Sequence, residues 1–329
     1  MGRPRAASNG GREAGMMRAW VLAVLLLSVG GSGLAQAGVS FEFQAAYGGF
    51  GIGRESFDQP VDAVVDREEN IYVVDRGNNR IEVLDRRGRY LREWGRPGIA
   101  PGSFDGPSAI AIERNAGILW VVDTNNHRLQ KFDLKGKLLM TLGSLGSAGG
   151  EFNKPSDVTF DKNGNLYVAD TGNNRVQKFD PSGRLLSEWG KFSRWRKGLE
   201  VHNPMSVAYS SEGLGAVYVV NSPDCRILKY DTDGVLIREW PIHPKGEGMA
   251  CGPARIRIEP RLYTVYIADT GNDRVILFDK NGELLGDLKG GKAPFRKPRG
   301  VFISDLFEEQ LVVADTGNNL VQILTRRGR

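Results

Sequence analysis

The chain has 329 residues, of which 40% are hydrophobic, enough for one large globular domain or two ordinary ones. Its net charge of +5 is unevenly placed: residues 1–37 hold Arg3, Arg5, Arg12 and Arg18 against one acid, Glu13, and the remainder carries 40 basic and 38 acidic residues, a net of +2. So nearly neutral a remainder argues against a nucleic-acid partner, which needs concentrated positive charge.

In chain order, Arg18 precedes an apolar run from Ala19 to Val29, followed by small residues that end in Ala35-Gln36-Ala37. This is the layout of a secretory signal peptide cleaved near Ala37, with Met16 or Met17 a suitable start. The apolar run is well short of the roughly twenty residues that cross a bilayer, so export to the periplasm or the exterior is expected, without a stable membrane anchor.

From residue 41 onward the chain repeats. A proline recurs at Pro60, Pro107, Pro155, Pro204, Pro253 and Pro298. After each comes an acid-type position, at Asp75, Asp123, Asp170, Asn221, Asp269 and Asp315. Five residues further on stand Arg80, Arg128, Arg175, Arg226 and Arg274, with Leu320 in the sixth unit. A period near 47 residues is that of a four-stranded propeller blade. In the third unit the spacing predicts strands over 157–160, 166–169, 176–179 and 185–189, separated by turn-forming Lys-Asn-Gly-Asn, Thr-Gly-Asn-Asn and Pro-Ser-Gly. The second strand of each unit is almost continuously apolar, as for a sheet covered on both faces.

The expected fold is therefore all-β: a six-bladed β-propeller of four-stranded antiparallel blades, filling residues 39–329. The repeats run over about 57–95, 104–143, 152–190, 201–241, 249–290 and 295–329. The sixth unit lacks a fourth strand, and residues 41–48 (FEFQAAYG) resemble the outer strands of the other units. This N-terminal segment is expected to close the ring by pairing with the last strand, which removes the open end of the array.

The fragments VADTGNNRVQKFD (168–180), IADTGNDRVILFD (267–279) and VVDRGNNRIEVLD (73–85) resemble the NHL repeat. NHL propellers include a peptide-amidating lyase, RNA-binding modules, sensors and many exported proteins, so the resemblance implies a fold more than an activity. The lyase's metal is held by histidines directly after the repeat proline. Those positions here are Val61, Ser108, Ser156, Met205, Ala254 and Arg299, none of them histidine. The histidines that do occur, His127, His202 and His243, occupy unlike repeat positions. Two cysteines exclude a RING-type zinc module within the chain.

The Asp-x-x-x-x-Arg signature recurs around the ring and is read as structural, with the acid and arginine bracing the turn between them. Function should lie where blades differ. Asp62, Asp157, Arg255, Arg257 and Arg299 fall on the inner strands, where acids of blades one and three would face arginines of blades five and six across the channel. Such a divided mouth suits a zwitterionic or carboxylated ligand; charges solvated by channel water are the alternative. Blade four adds an insertion containing Arg194 and Trp195. Cys225 and Cys251 fall on one face, as a disulfide or as two free thiols. No catalytic or metal-binding set and no cofactor motif emerges. The expectation is a monomeric, noncatalytic scaffold that binds a protein, peptide or glycan on its loop-bearing face. The alternative is a metal-dependent lyase or hydrolase related to the amidating enzyme.

Overall fold

The computed structural model describes residues 39–190, 201–222, 224–243, 250, 252–291, 293–304 and 309–327. It contains six separate four-stranded antiparallel sheets, which are the six blades. In blade three the strands are Asp157–Phe160, Leu166–Asp170, Arg175–Phe179 and Leu185–Trp189, within one residue of the turns that punctuate the sequence. The apolar second strands are buried along their whole length in four blades and in all but the first residue in the other two, because each lies between two neighbouring sheets. The core accordingly lies between blades: Val74 and Ile81 of blade one pack with Phe104, Ile110 and Phe132 of blade two.

The ring closes as the strand count requires. Phe41–Gly48 pairs antiparallel with Leu320–Arg326, from Phe41 opposite Arg326 to Gly48 opposite Leu320, with one bulge between Phe43 and Ala45. Tyr47 of this strand then covers Gly88 of blade one, where a Cβ would lie 2.0 Å from the ring and φ is +76°. Trp94, Trp189 and Trp240 cover Gly136, Gly234 and Gly282 in the same way. Outer-strand aromatics thus lie on glycine turns of the next blade.

The repeated polar residues fasten the chain at each joint. Asp75, Asp123, Asp170 and Asp315 accept the backbone N–H of Asp58, Asp105, Asn153 and Arg296, two residues before the repeat proline, at 2.7–2.8 Å. The arginine binds the same aspartate, at 2.8 Å for Arg80 and Arg128, 2.7 Å for Arg175 and 2.9 Å for Arg274. Its guanidinium also holds crossover carbonyls; Arg175 donates to Ser147, Ala148 and Glu151. In blade six Leu320 cannot do this, and Asp315 keeps the kind of glutamine bond that Asp123 and Asp170 have beside their arginines, from Gln322 at 2.7 Å.

Between Asp and Arg the chain must turn through a left-handed residue, which favours Asn and Asp. Asn79, His127, Asn174, Asp273 and Asn319 occupy that position with φ of 53–55°. Each reaches across to the following blade and accepts the N–H of the residue before its inner strand or its proline: Gly106, Lys154, Asn203, Lys297 and Gln59, at 2.6–3.0 Å. His127 is therefore a joint residue, with its Nδ1 as the acceptor.

Candidate functional site

The six inner strands surround the axis, and their register sets which side chains face it. Asp62 and Asp157, from blades one and three, meet Arg255 and Arg257, both from blade five. Arg255 lies 2.6 Å from Asp157 and 3.5 Å from Asp62, and Arg257 lies 3.0 and 3.4 Å from the same two carboxylates. Both acids are fully buried. Asp62 also accepts the Ile110 N–H, and Asp157 accepts the Val207 N–H and the Ser206 hydroxyl. Burial pushes the Asp62 carboxyl up despite its arginines. For Asp157 burial acts the same way, but the closer Arg255 and Arg257 prevail and hold it below the usual range. Arg255 extends further, donating to the Ser156 and Ser108 carbonyls of blades three and two. The result is a charge-neutral network that links blades one, two, three and five through the channel.

The sequence places these four residues in the channel, but as facing walls or as groups solvated by channel water. They are instead directly paired and buried, and Arg299 takes no part in the pairing. It stands exposed at the mouth, where the inner strands begin. There a cavity of about 220 Å³ opens on the loop-bearing face. Blades two and three contribute the hydroxyls of Ser108, Thr124, Ser156 and Thr171, and the apolar Val61, Met205 and Ala254 come from blades one, four and five. Arg76, Lys154, Arg255 and Arg299 complete the lining, and no acidic residue contributes to it.

Arg76 and Lys154 were not among the residues singled out from the sequence. Arg76 had a signal: it opens the turn of blade one where Thr124, Thr171, Thr270 and Thr316 open theirs. Each of those threonines donates to a carbonyl of the next blade's repeat proline, at 2.6–2.9 Å. Arg76 cannot repeat this bond and turns its charge to the mouth. Its pKa is lowered by desolvation and then by Arg299, and that of Arg299 by desolvation and then by Arg255, so these cations crowd one another. Lys154 sits just before Pro155 in a left-handed conformation (φ 50°) and is exposed.

Of the remaining sequence candidates, those among the described residues lie away from this site. Arg194, Trp195 and Cys251 lie outside the described residues. Cys225 occupies the left-handed position of blade four (φ 48°) and is disulfide-bonded. His202 lies 3.8 Å from Asp224 in blade four, and His243 contacts Asp269 and Arg274 of blade five. Among the described residues no group of three or more His, Cys, Asp or Glu is placed to hold a metal ion. A second cavity, of about 380 Å³, opens at the opposite end of the channel beside Ile112, Phe160, Phe302 and Ile303.

Comparison with known proteins agrees with this architecture. A family model described as 6-bladed beta-propeller matches residues 57–142, and the NHL repeat model matches residues 152–179. The Protein brain tumor of Drosophila melanogaster is 29% identical over 75 residues, 23% of this chain, and the match spans 7% of that protein's length. Virginiamycin B lyase from Staphylococcus aureus superposes with a TM-score of 0.60 at 13% identity, covering 87% of this chain and 99% of the lyase. A gluconolactonase from Xanthomonas campestris gives 0.57 at 15% identity, covering 82% and 88%. At such identities the structural likeness is one of fold. The chain is a six-bladed β-propeller that carries a match to the NHL repeat over residues 152–179.

Proposed function

We propose that the chain is a noncatalytic recognition module, exported from the cytoplasm, whose loop-bearing face binds a protein or peptide. The observation that carries this reading is the fate of the channel carboxylates. Asp62 and Asp157 are the inner-strand acids best placed to act as bases or metal ligands, and both are held in buried ion pairs with Arg255 and Arg257. A catalytic carboxylate must be able to reach substrate or metal. What the mouth offers a ligand is fixed hydrogen-bonding groups, apolar side chains and positive charge, which suit binding.

The structural neighbours named above include a lyase and a lactonase, so the reading needs a test that an enzyme would fail. Purified full-length protein is expected to contain no stoichiometric divalent metal by elemental analysis. It is expected to enrich a consistent set of ligands from a displayed peptide library and to release them intact. A stoichiometric ion, together with chelator-sensitive cleavage of the enriched peptides, would overturn the proposal.

A further inference from the structure

We infer that the cavity at the channel mouth is a receptor for the carboxy-terminal residue of a peptide, with Arg76 and Arg299 gripping its terminal carboxylate. The inference deepens the recognition reading and rests on it. Three features of the cavity carry it.

The first is charge. The lining combines Arg76, Arg299 and Lys154 with no acid; Asp62 and Asp157 beneath it are paired with Arg255 and Arg257, and Asp105 outside the lining offsets Arg76 less than Arg299 opposes it. An anion entering here meets guanidinium groups whose positive charge is not cancelled within the cavity, and guanidinium groups match the two oxygens of a carboxylate. Arg255, at the inner side, is buried, and its Nε has no hydrogen-bond partner among the described residues.

The second is size. Drug-sized ligands fill clefts of roughly 300–1,000 Å³. A cavity of about 220 Å³ takes a smaller piece, such as the last residue of a chain whose remainder lies outside.

The third is its mixed lining. A bare inorganic anion has no use for apolar groups, yet Met205 and Ala254 of the adjacent blades four and five line the cavity, with Val61 of blade one across from them. A terminal residue with an apolar side chain uses both kinds of lining: its carboxylate goes to the arginines and its side chain to Met205 and Ala254. The preceding peptide groups then meet Ser108 and Ser156 at the rim. On the same face, exposed Ile52 and Ile99 sit in the crossovers into blades one and two and offer apolar footing for the rest of the peptide.

The test compares an array of tripeptides with free carboxyl ends against the same array amidated, read by equilibrium binding to full-length protein. Free-acid peptides ending in an apolar residue are expected to bind at least tenfold more tightly than their amides. The substitutions Arg76→Thr and Arg299→Ser install residues that other blades carry at the equivalent positions, so the double variant should keep its fold and melting temperature. It is expected to lose at least tenfold in affinity for the acids and little for the amides. Equal binding of acid and amide would overturn the inference, as would no binding of any free-acid peptide or unchanged affinity in a folded double variant. Amidated peptides with an internal glutamate supply a side-chain carboxylate; if these bound as well as the free acids, the assignment to a chain terminus would fall. Mass spectrometry of the recovered ligand separates the two levels of failure. A consumed peptide refutes the noncatalytic reading, whereas an intact peptide indifferent to amidation refutes only the pocket.

Discussion

Blade three and blade four hold their turns by different means. In blade three Arg175 is fully buried and joins Asp170, Glu188 and three crossover carbonyls, while Asn174 accepts an N–H from the next blade. In blade four the neutral Asn221 replaces the acid, the left-handed residue is the disulfide-bonded Cys225, and Arg226 lies partly exposed between Asp224 and Glu239. The same backbone turn is thus kept by a buried ionic network in one blade and by a looser set of contacts in another. What the ring requires is the turn and the reach to the next blade, not one chemical means of achieving them.

The sharpest way to break this comparison is to remove the same arginine from both. Arg175→Ala leaves Asp170 buried without its cation and is expected to cost about 3–5 kcal/mol in urea unfolding, whereas Arg226→Ala should cost under about 1 kcal/mol. Equal losses would mean that blade four depends on its network as blade three does. The joint after blade four comes next. We propose that Cys225 bonds Cys251 and so replaces, covalently, the hydrogen bond that Asn174 makes in blade three. Reduction is expected to lower stability by about 2–4 kcal/mol, and Cys225→Ser should lose its sensitivity to reductant. A melt unaffected by reductant would remove this role.

Blade one sharpens the comparison differently, because it places Glu82 where blade three has Gln177. The amide donates to Asp170 and to the Glu151 carbonyl and accepts the Gly150 N–H. The carboxylate accepts the Glu55 N–H but has no proton for Asp75, and burial pushes its pKa up from 4.5 to about 7 despite Arg80. Between those two values the folded protein holds a proton that the unfolded chain has released, so this group makes stability fall as pH rises from about 4.5 to about 7. Glu82→Gln is expected to flatten that part of the stability profile and to gain roughly 1 kcal/mol at pH 8. A wild-type profile that does not fall over this interval would contradict the raised pKa. The smallest effect belongs to Arg76→Thr, which restores the residue of blade three. Stability should move by no more than about 0.5 kcal/mol in thermal unfolding.

Most of the fold was legible in the sequence because it is periodic: proline, aspartate and arginine mark the same places in successive blades, and apolar runs identify the doubly covered strands. The shortened last repeat even showed where the N-terminal strand had to go. The candidate site was legible only in part. Register alone put Asp62, Asp157, Arg255, Arg257 and Arg299 on the inner strands. Whether they would face one another through water or pair directly depends on side-chain reach across the ring, which no local pattern encodes. Arg76 was overlooked for a related reason. It lies in a turn, and only comparison with Thr171 and its counterparts reveals it as a departure. His127 stands at a repeat position unlike those of the other histidines, and its left-handed backbone and its bond to the Lys154 N–H show why it is there.

The pairing of Phe41–Gly48 with Leu320–Arg326 also imposes an order on the chain's assembly. A ribosome makes the closing strand before every other strand of the ring and its partner after them. Until residue 326 has been added, the early segment is an apolar edge without a neighbour, while the growing stack of blades still has one bare flank. Such edges invite association with other chains. Closure also joins the most distant parts of the sequence, which makes it slow compared with hairpin formation within a blade. The ring therefore gains its final seam in a single late event, and a chain stopped even one strand short would carry two sticky ends instead of none.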